Sequence, residues 1–198
     1  MTSTLSAEIA ATAARLIVEE GLEYGAAKRR AARDLGATGR SSVLPGNDEI
    51  EDEVRAYISL YHADSQPAEL AALRGIAATW MERLAAFRPL LTGAVWRGTA
   101  TRLNDIHIEL YCDDSKAAEL ALIDQRVDYE VSSGESARGR AVDVLNLYVP
   151  GPDPTRPIRV ALTVLDYDDL RGALRSDSRG QPQRGDLAAL NALRGATA

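Results

Sequence analysis

Residues 93–110 read GAVWRGTATRLNDIHIEL, and this stretch decides the fold. Asp105, His107 and Glu109 alternate with Ile106, Ile108 and Leu110, the period of a strand with one polar and one apolar face. Alternate residues on a strand point the same way, about 7 Å apart. Two carboxylates so placed can share a pair of divalent cations. Upstream, Gly93 and Gly98 punctuate a turn whose backbone N–H groups can approach phosphate oxygens.

Outward from this segment the character of the chain changes sharply at Pro89. Before it the spacing predicts helices. Residues 6–20 carry Ile9, Ala13, Leu16 and Ile17 on one face, with Ser6 as cap and Gly21 as stop. Residues 24–35 form a second helix exposing Lys28, Arg29, Arg30 and Arg33, closed by Gly36. A polar loop, GATGRSSVLPGN, leads to Asn47 as cap of a third helix over 48–63. Ser65 and Pro67 open a fourth, striped by Leu70, Leu73, Ala77, Trp80, Leu84 and Phe87.

After Pro89 the pattern turns to strands. LLTGAVW (90–96) and DIHIELYC (105–112) read as strands, and SKAAELALIDQ (115–125) as a helix capped by Ser115. RVDYEVS follows as a strand with Val127, Tyr129 and Val131 inward. A Gly/Ser/Arg loop over 132–140 then leads to VDVLNLYVP and IRVALTVL, which the tight GPDPTRP connection joins as an antiparallel hairpin. A polar tail over 166–186 and a short helix over 186–194 complete the pattern. The expected fold is α+β, with a helical region over 1–88 and a mixed or antiparallel sheet with flanking helices over 89–198.

Composition bounds the function. The chain has 198 residues, a net charge of −6 and one cysteine, Cys112. A single cysteine excludes an internal disulfide and a cysteine-cluster zinc site. Nucleic-acid binding through overall charge is disfavoured. No apolar run reaches the length of a membrane span, and the N-terminus lacks the basic region of a signal peptide, so a cytoplasmic location is expected.

The 93–110 segment resembles the signature of the nucleotidyltransferase superfamily, which runs Gly-Ser, an Arg-Gly loop, then Asp-x-Asp on a strand. Gly93-Ala94 stands at Gly-Ser, Arg97-Gly98 at Arg-Gly, and Asn104-Asp105-Ile106 where small bacterial members have Ser-Asp-Ile. The motif supports residues 90–131, and strand order alone extends it over 132–165. The order of a Lys/Arg-rich helical opening, Gly-Ala-Val, Asp-Ile and Asp-Tyr-Glu also resembles a group of bacterial proteins of about this length.

The resemblance implies transfer of a nucleotidyl group from a nucleoside triphosphate with Mg²⁺ or Mn²⁺. It assigns Asp105, Glu109, Asp128 and Glu130 to catalysis and Asp105, His107 and Asp128 to metal. Gly93, Ala94, Arg97 and Gly98 would face the phosphates, and RNA or a protein would be the acceptor. Two departures weaken the motif. Ala94 lacks the family's hydroxyl, and His107 replaces its second aspartate with an imidazole, a poor Mg²⁺ ligand. A catalytically inactive binding or regulatory protein of the same fold is therefore the competing reading, and an oligomer is compatible with either. A nucleic-acid binder acting through Lys28–Arg33 is a third. Arg171, Arg175, Arg179 and Arg184 in the tail could clamp phosphate or sit in a polar loop.

Overall fold

The computed structural model describes residues 4–37, 44–136, 138–177 and 179–196. Residues 38–43 of the expected polar loop, Ala137 of the next and Ser178 of the tail lie outside the described residues. The chain divides into two compact units, Met1–Glu69 with Thr99–Leu103, and Leu70–Gly98 with Asn104–Ala198.

The first unit is helical. α1 (Thr4–Glu20) buries the stripe its spacing predicts, and α2 (Tyr24–Asp34) and α3 (Asn47–Tyr61) add buried residues to the same core, with Ile9, Leu16, Ile17, Ile50 and Val54 almost inaccessible. Alanines at 13, 14, 27 and 31 let the helices approach closely. Gly21 and Gly36 end α1 and α2 at φ 69° and 72°, the left-handed conformation that glycine adopts without strain. Gly46, not Asn47, is the N-cap of α3, and Glu49 accepts the Gly46 N–H at 2.8 Å. α4 (Gln66–Arg83) starts in this unit, and the division falls between its Glu69 and Leu70.

The second unit is a six-stranded mixed sheet with helices packed on it, so the α+β expectation holds. Its strands are β1 (Leu90–Thr92), β2 (Ile106–Cys112), β3 (Glu130–Glu135), β4 (Ala141–Val149), β5 (Ile158–Asp166) and β6 (Arg184–Gly185), in the order β3-β4-β5-β2-β1-β6. β2 and β5 run parallel, and every other neighbouring pair is antiparallel, including the expected β4–β5 hairpin. α5 (Gly93–Arg97), α6 (Ala117–Asp124), α7 (Leu187–Gly195) and the Leu70–Arg83 part of α4 belong to the same unit.

Register sorts the side chains into two faces. Ile106, Ile108 and Leu110 align with Val160, Leu162 and Val164, all at most 5% exposed, and form the apolar face. The other face is polar, and one row of partners crosses all six strands: Glu130, Asn146, Ala161, His107, Thr92 and Arg184.

Several local readings are corrected. LLTGAVW is not one strand: β1 stops at Thr92, because Gly93 turns the chain at φ 73° into α5, which buries Val95 and Trp96 on one side. Val131 is 52% exposed rather than inward, since β3 is an edge strand, and β3 continues to Glu135 where a loop was expected. α6 begins at Ala117, after Asp114 rather than Ser115 accepts the Lys116 N–H. Within the tail, Tyr167–Leu170 form a 3₁₀ turn and Arg184–Gly185 form β6.

Candidate functional site

The site forms where β1 hands over to β2. The Gly93 turn is tight: a Cβ there would lie 3.4 Å from the His107 ring and would have to adopt a left-handed backbone. α5 ends at Gly98 with φ 81°. Arg74 of α4, 8% exposed, donates from Nε to the Val95 carbonyl and from Nη2 to the Trp96 carbonyl, each at 3.2 Å. It thus satisfies two carbonyls that a helix end leaves without helical partners. Burial lowers the basicity of this guanidinium.

The tail braces the same corner. Trp96 Nε1 donates to the Pro182 carbonyl at 2.8 Å and Thr92 Oγ1 to the Gln183 carbonyl at 3.2 Å. Gly185 lies flat under the Trp96 indole, where a Cβ would fall 2.0 Å from a ring carbon. Gly93, Ala94, Arg97 and Gly98 therefore share one braced turn, with Arg97 Nη1 reaching Gln183 Oε1 at 3.4 Å.

Asp105 and His107 lie beside this turn, and a carboxylate oxygen of one comes within 4.8 Å of a ring nitrogen of the other. Asp105 is already engaged. Arg159 of β5, its lateral neighbour, donates to Asp105 Oδ2 from Nε at 2.8 Å, and its Nη2 lies 2.7 Å from the same oxygen as an ion pair. Arg159 Nη1 donates to Asn146 Oδ1 at 3.0 Å. Asn146, 4% exposed, is fixed in turn because its Nδ2 donates to Ser132 Oγ at 2.8 Å and to the Glu130 and Val144 carbonyls at 3.2 Å.

The remaining acids go elsewhere. Glu109 faces the same way as Asp105 but is held by Arg184, through Nε at 2.8 Å and Nη2 at 3.1 Å, and by the Tyr111 hydroxyl at 2.6 Å. Burial, and then this bond to Glu109, push the Tyr111 hydroxyl well above its ordinary value. Glu130 shares the polar face but sits on β3, three strand spacings or about 14 Å from β2. Asp128 precedes β3 and is exposed. The donors gathered at the corner within this unit are thus one carboxylate and one imidazole. That set does not fit a pair of Mg²⁺ ions, which take carboxylate oxygens.

Other candidates resolve simply. Arg184 pairs with Glu109 rather than standing ready for phosphate. Arg30 pairs with Glu20 and, at 3.8 Å, with Asp34, and Lys28 donates to Asn47 at 3.0 Å. His62 meets Glu19 at 3.1 Å, which with Tyr57 holds that carboxyl below its usual range. At the opposite end of β2, Cys112 borders a cleft of about 420 Å³ shared with Asp113, Asp143, Asp166 and Asp169. Burial first, then the charges of Asp114, Asp113 and Asp166, push its thiol up, the reverse of an activated nucleophile. No helix among the described residues is long and apolar enough to cross a membrane.

No protein-family model matches the chain, and no curated protein matches it. Among solved structures the chain is similar to Cid1 in complex with the UTP analogue UMPNPP, at 14% identity and a TM-score of 0.33 over 58% of this chain and 36% of that one. A second Cid1 structure, described for its RNA terminal uridylyl transferase activity, aligns over the same shares with a TM-score of 0.32. The chain spans about a third of those proteins.

The residues that sequence reading missed are Arg159, Asn146 and Arg74. Arg159 had a visible signal, a lone charge in the apolar run IRVALTVL. Arg74 interrupts the α4 stripe, and nothing in the sequence links it to the distant carbonyls it meets.

Proposed function

We propose that the chain is a nucleotidyltransferase-like protein that binds a nucleoside triphosphate at the β1–α5–β2 corner and does not perform two-metal nucleotidyl transfer. The motif resemblance supports the ligand class, together with a braced glycine turn beside Asp105. One observation carries the loss of transfer: the acids are dispersed. Glu109 is committed to Arg184 and Tyr111, and Glu130 stands three strands from β2. Among the described residues of this unit no second carboxylate stands beside Asp105, so the unit by itself offers two cations no shared ligand set with which to activate a hydroxyl and stabilise pyrophosphate.

The test incubates the protein with each labelled ribonucleoside triphosphate, Mg²⁺ or Mn²⁺, and pools of RNA and protein acceptors. Bound nucleotide without released pyrophosphate is expected. Pyrophosphate release that disappears in Asp105→Asn would restore the transferase reading.

A further inference from the structure

The polar face of the sheet carries a guanidinium where a metal site would need another carboxylate. Ile106 pairs with Val160, so the preceding residues Asp105 and Arg159 stand side by side on parallel strands. Arg159 is held from two sides, by Asp105 Oδ2 and by Asn146 Oδ1. Asn146 is buried and spends both its amide hydrogens on β3 and β4, so its oxygen is aimed at Arg159 by the fold. Two of the five N–H groups of Arg159 are hydrogen-bonded in this way, and Nη2 also lies against Asp105. The Arg159 side chain is 34% exposed, which leaves the remaining donors open to a ligand.

We infer that Arg159 is the resident cation of this site, and that the site takes nucleoside triphosphates as metal-free anions. The inference rests on the nucleotide-binding reading above and adds how the charge of the phosphates is met. A guanidinium cannot lose its proton at physiological pH and presents its donors in a plane suited to phosphate oxygens. It also disfavours a divalent cation on Asp105. A divalent ion on Asp105 would share that carboxylate with a cation already within 2.8 Å, and the two positive charges would repel strongly in a half-buried site. Asp105 and Asn146 act as positioning residues that hold the guanidinium in place.

The experiment is calorimetric titration of the full chain with each of the four ribonucleoside triphosphates, once in EDTA and once in excess Mg²⁺. Mn²⁺ titration without nucleotide, read by electron paramagnetic resonance, runs beside it. Arg159→Gln and Arg159→Lys are compared with the natural protein, with near-ultraviolet circular dichroism as the check on folding. Binding in EDTA at least as tight as in Mg²⁺ is expected, with a loss of about tenfold or more in Arg159→Gln, a partial loss in Arg159→Lys, and no tight Mn²⁺ site. Binding that requires Mg²⁺, a tight Mn²⁺ site in the natural protein, or a folded Arg159→Gln that binds as well overturns the inference and leaves the nucleotide reading standing. Absence of nucleotide binding under both conditions overturns that reading and, with it, this one.

Discussion

Glu109 shows how a residue's role depends on partners that lie far away in sequence. Its place in the alternating run suggested a carboxylate available for chemistry, and its face in the sheet is the expected one. The carboxylate is nonetheless spent on Arg184, 75 residues later, and on Tyr111. Glu109→Gln should therefore cost stability rather than ligand binding. Replacing a largely buried charged partner with a neutral amide is expected to lower unfolding free energy by about 2 kcal/mol in urea titration, with nucleotide affinity unchanged. Affinity falling tenfold at unchanged stability would return Glu109 to the site. Asp105 differs in degree only: the sequence located it, but its engagement by Arg159 depends on β5 lying beside β2, which no local pattern encodes. Ala94 and His107 were legible as departures from the motif, and the geometry adds that the imidazole packs against the Gly93 turn.

At the scale of elements, helices with a strong apolar period were legible because burying a stripe needs only local spacing, although α4 stops at Arg83 and the Phe87 of its expected stripe falls in a 3₁₀ turn, Ala85–Phe87. Short elements were not. α5 is five residues long and stands because of contacts from outside itself: Arg74 on its final carbonyls and the Pro182–Gly185 segment on Trp96. The place of Glu130 has a related cause: β4 and β5 intervene between β3 and β2, a sheet order that no local pattern encodes. Arg74→Met tests the bracing of α5. It keeps the stem's volume, leaves the Val95 and Trp96 carbonyls without their donor, and should cost about 2 kcal/mol with faster hydrogen exchange at the amides of residues 94–98. Exchange and stability matching the natural protein would show that α5 does not depend on this guanidinium.

For the whole molecule, stability should fall on the alkaline side in a way traceable to Tyr111. Its hydroxyl keeps its proton in the folded state, while in the unfolded chain it ionises near pH 10. The contribution is thus complete below about pH 10 and is lost as pH rises beyond it. Tyr57 and Tyr129 are shifted in the same direction. Unfolding free energies measured from about pH 9 to about pH 11 should decline more steeply in the natural protein than in Tyr111→Phe, and parallel slopes would contradict this. Where a triphosphate settles on the protein decides its function. The most direct measurement is an amide and arginine side-chain ¹H–¹⁵N spectrum of the full chain titrated with a ribonucleoside triphosphate in EDTA. Shifts centred on Gly93, Arg97, Gly98, Asp105 and the Nε–H of Arg159 are predicted. Shifts centred instead on the Cys112–Asp166 cleft, or no shifts at saturating nucleotide, would contradict it.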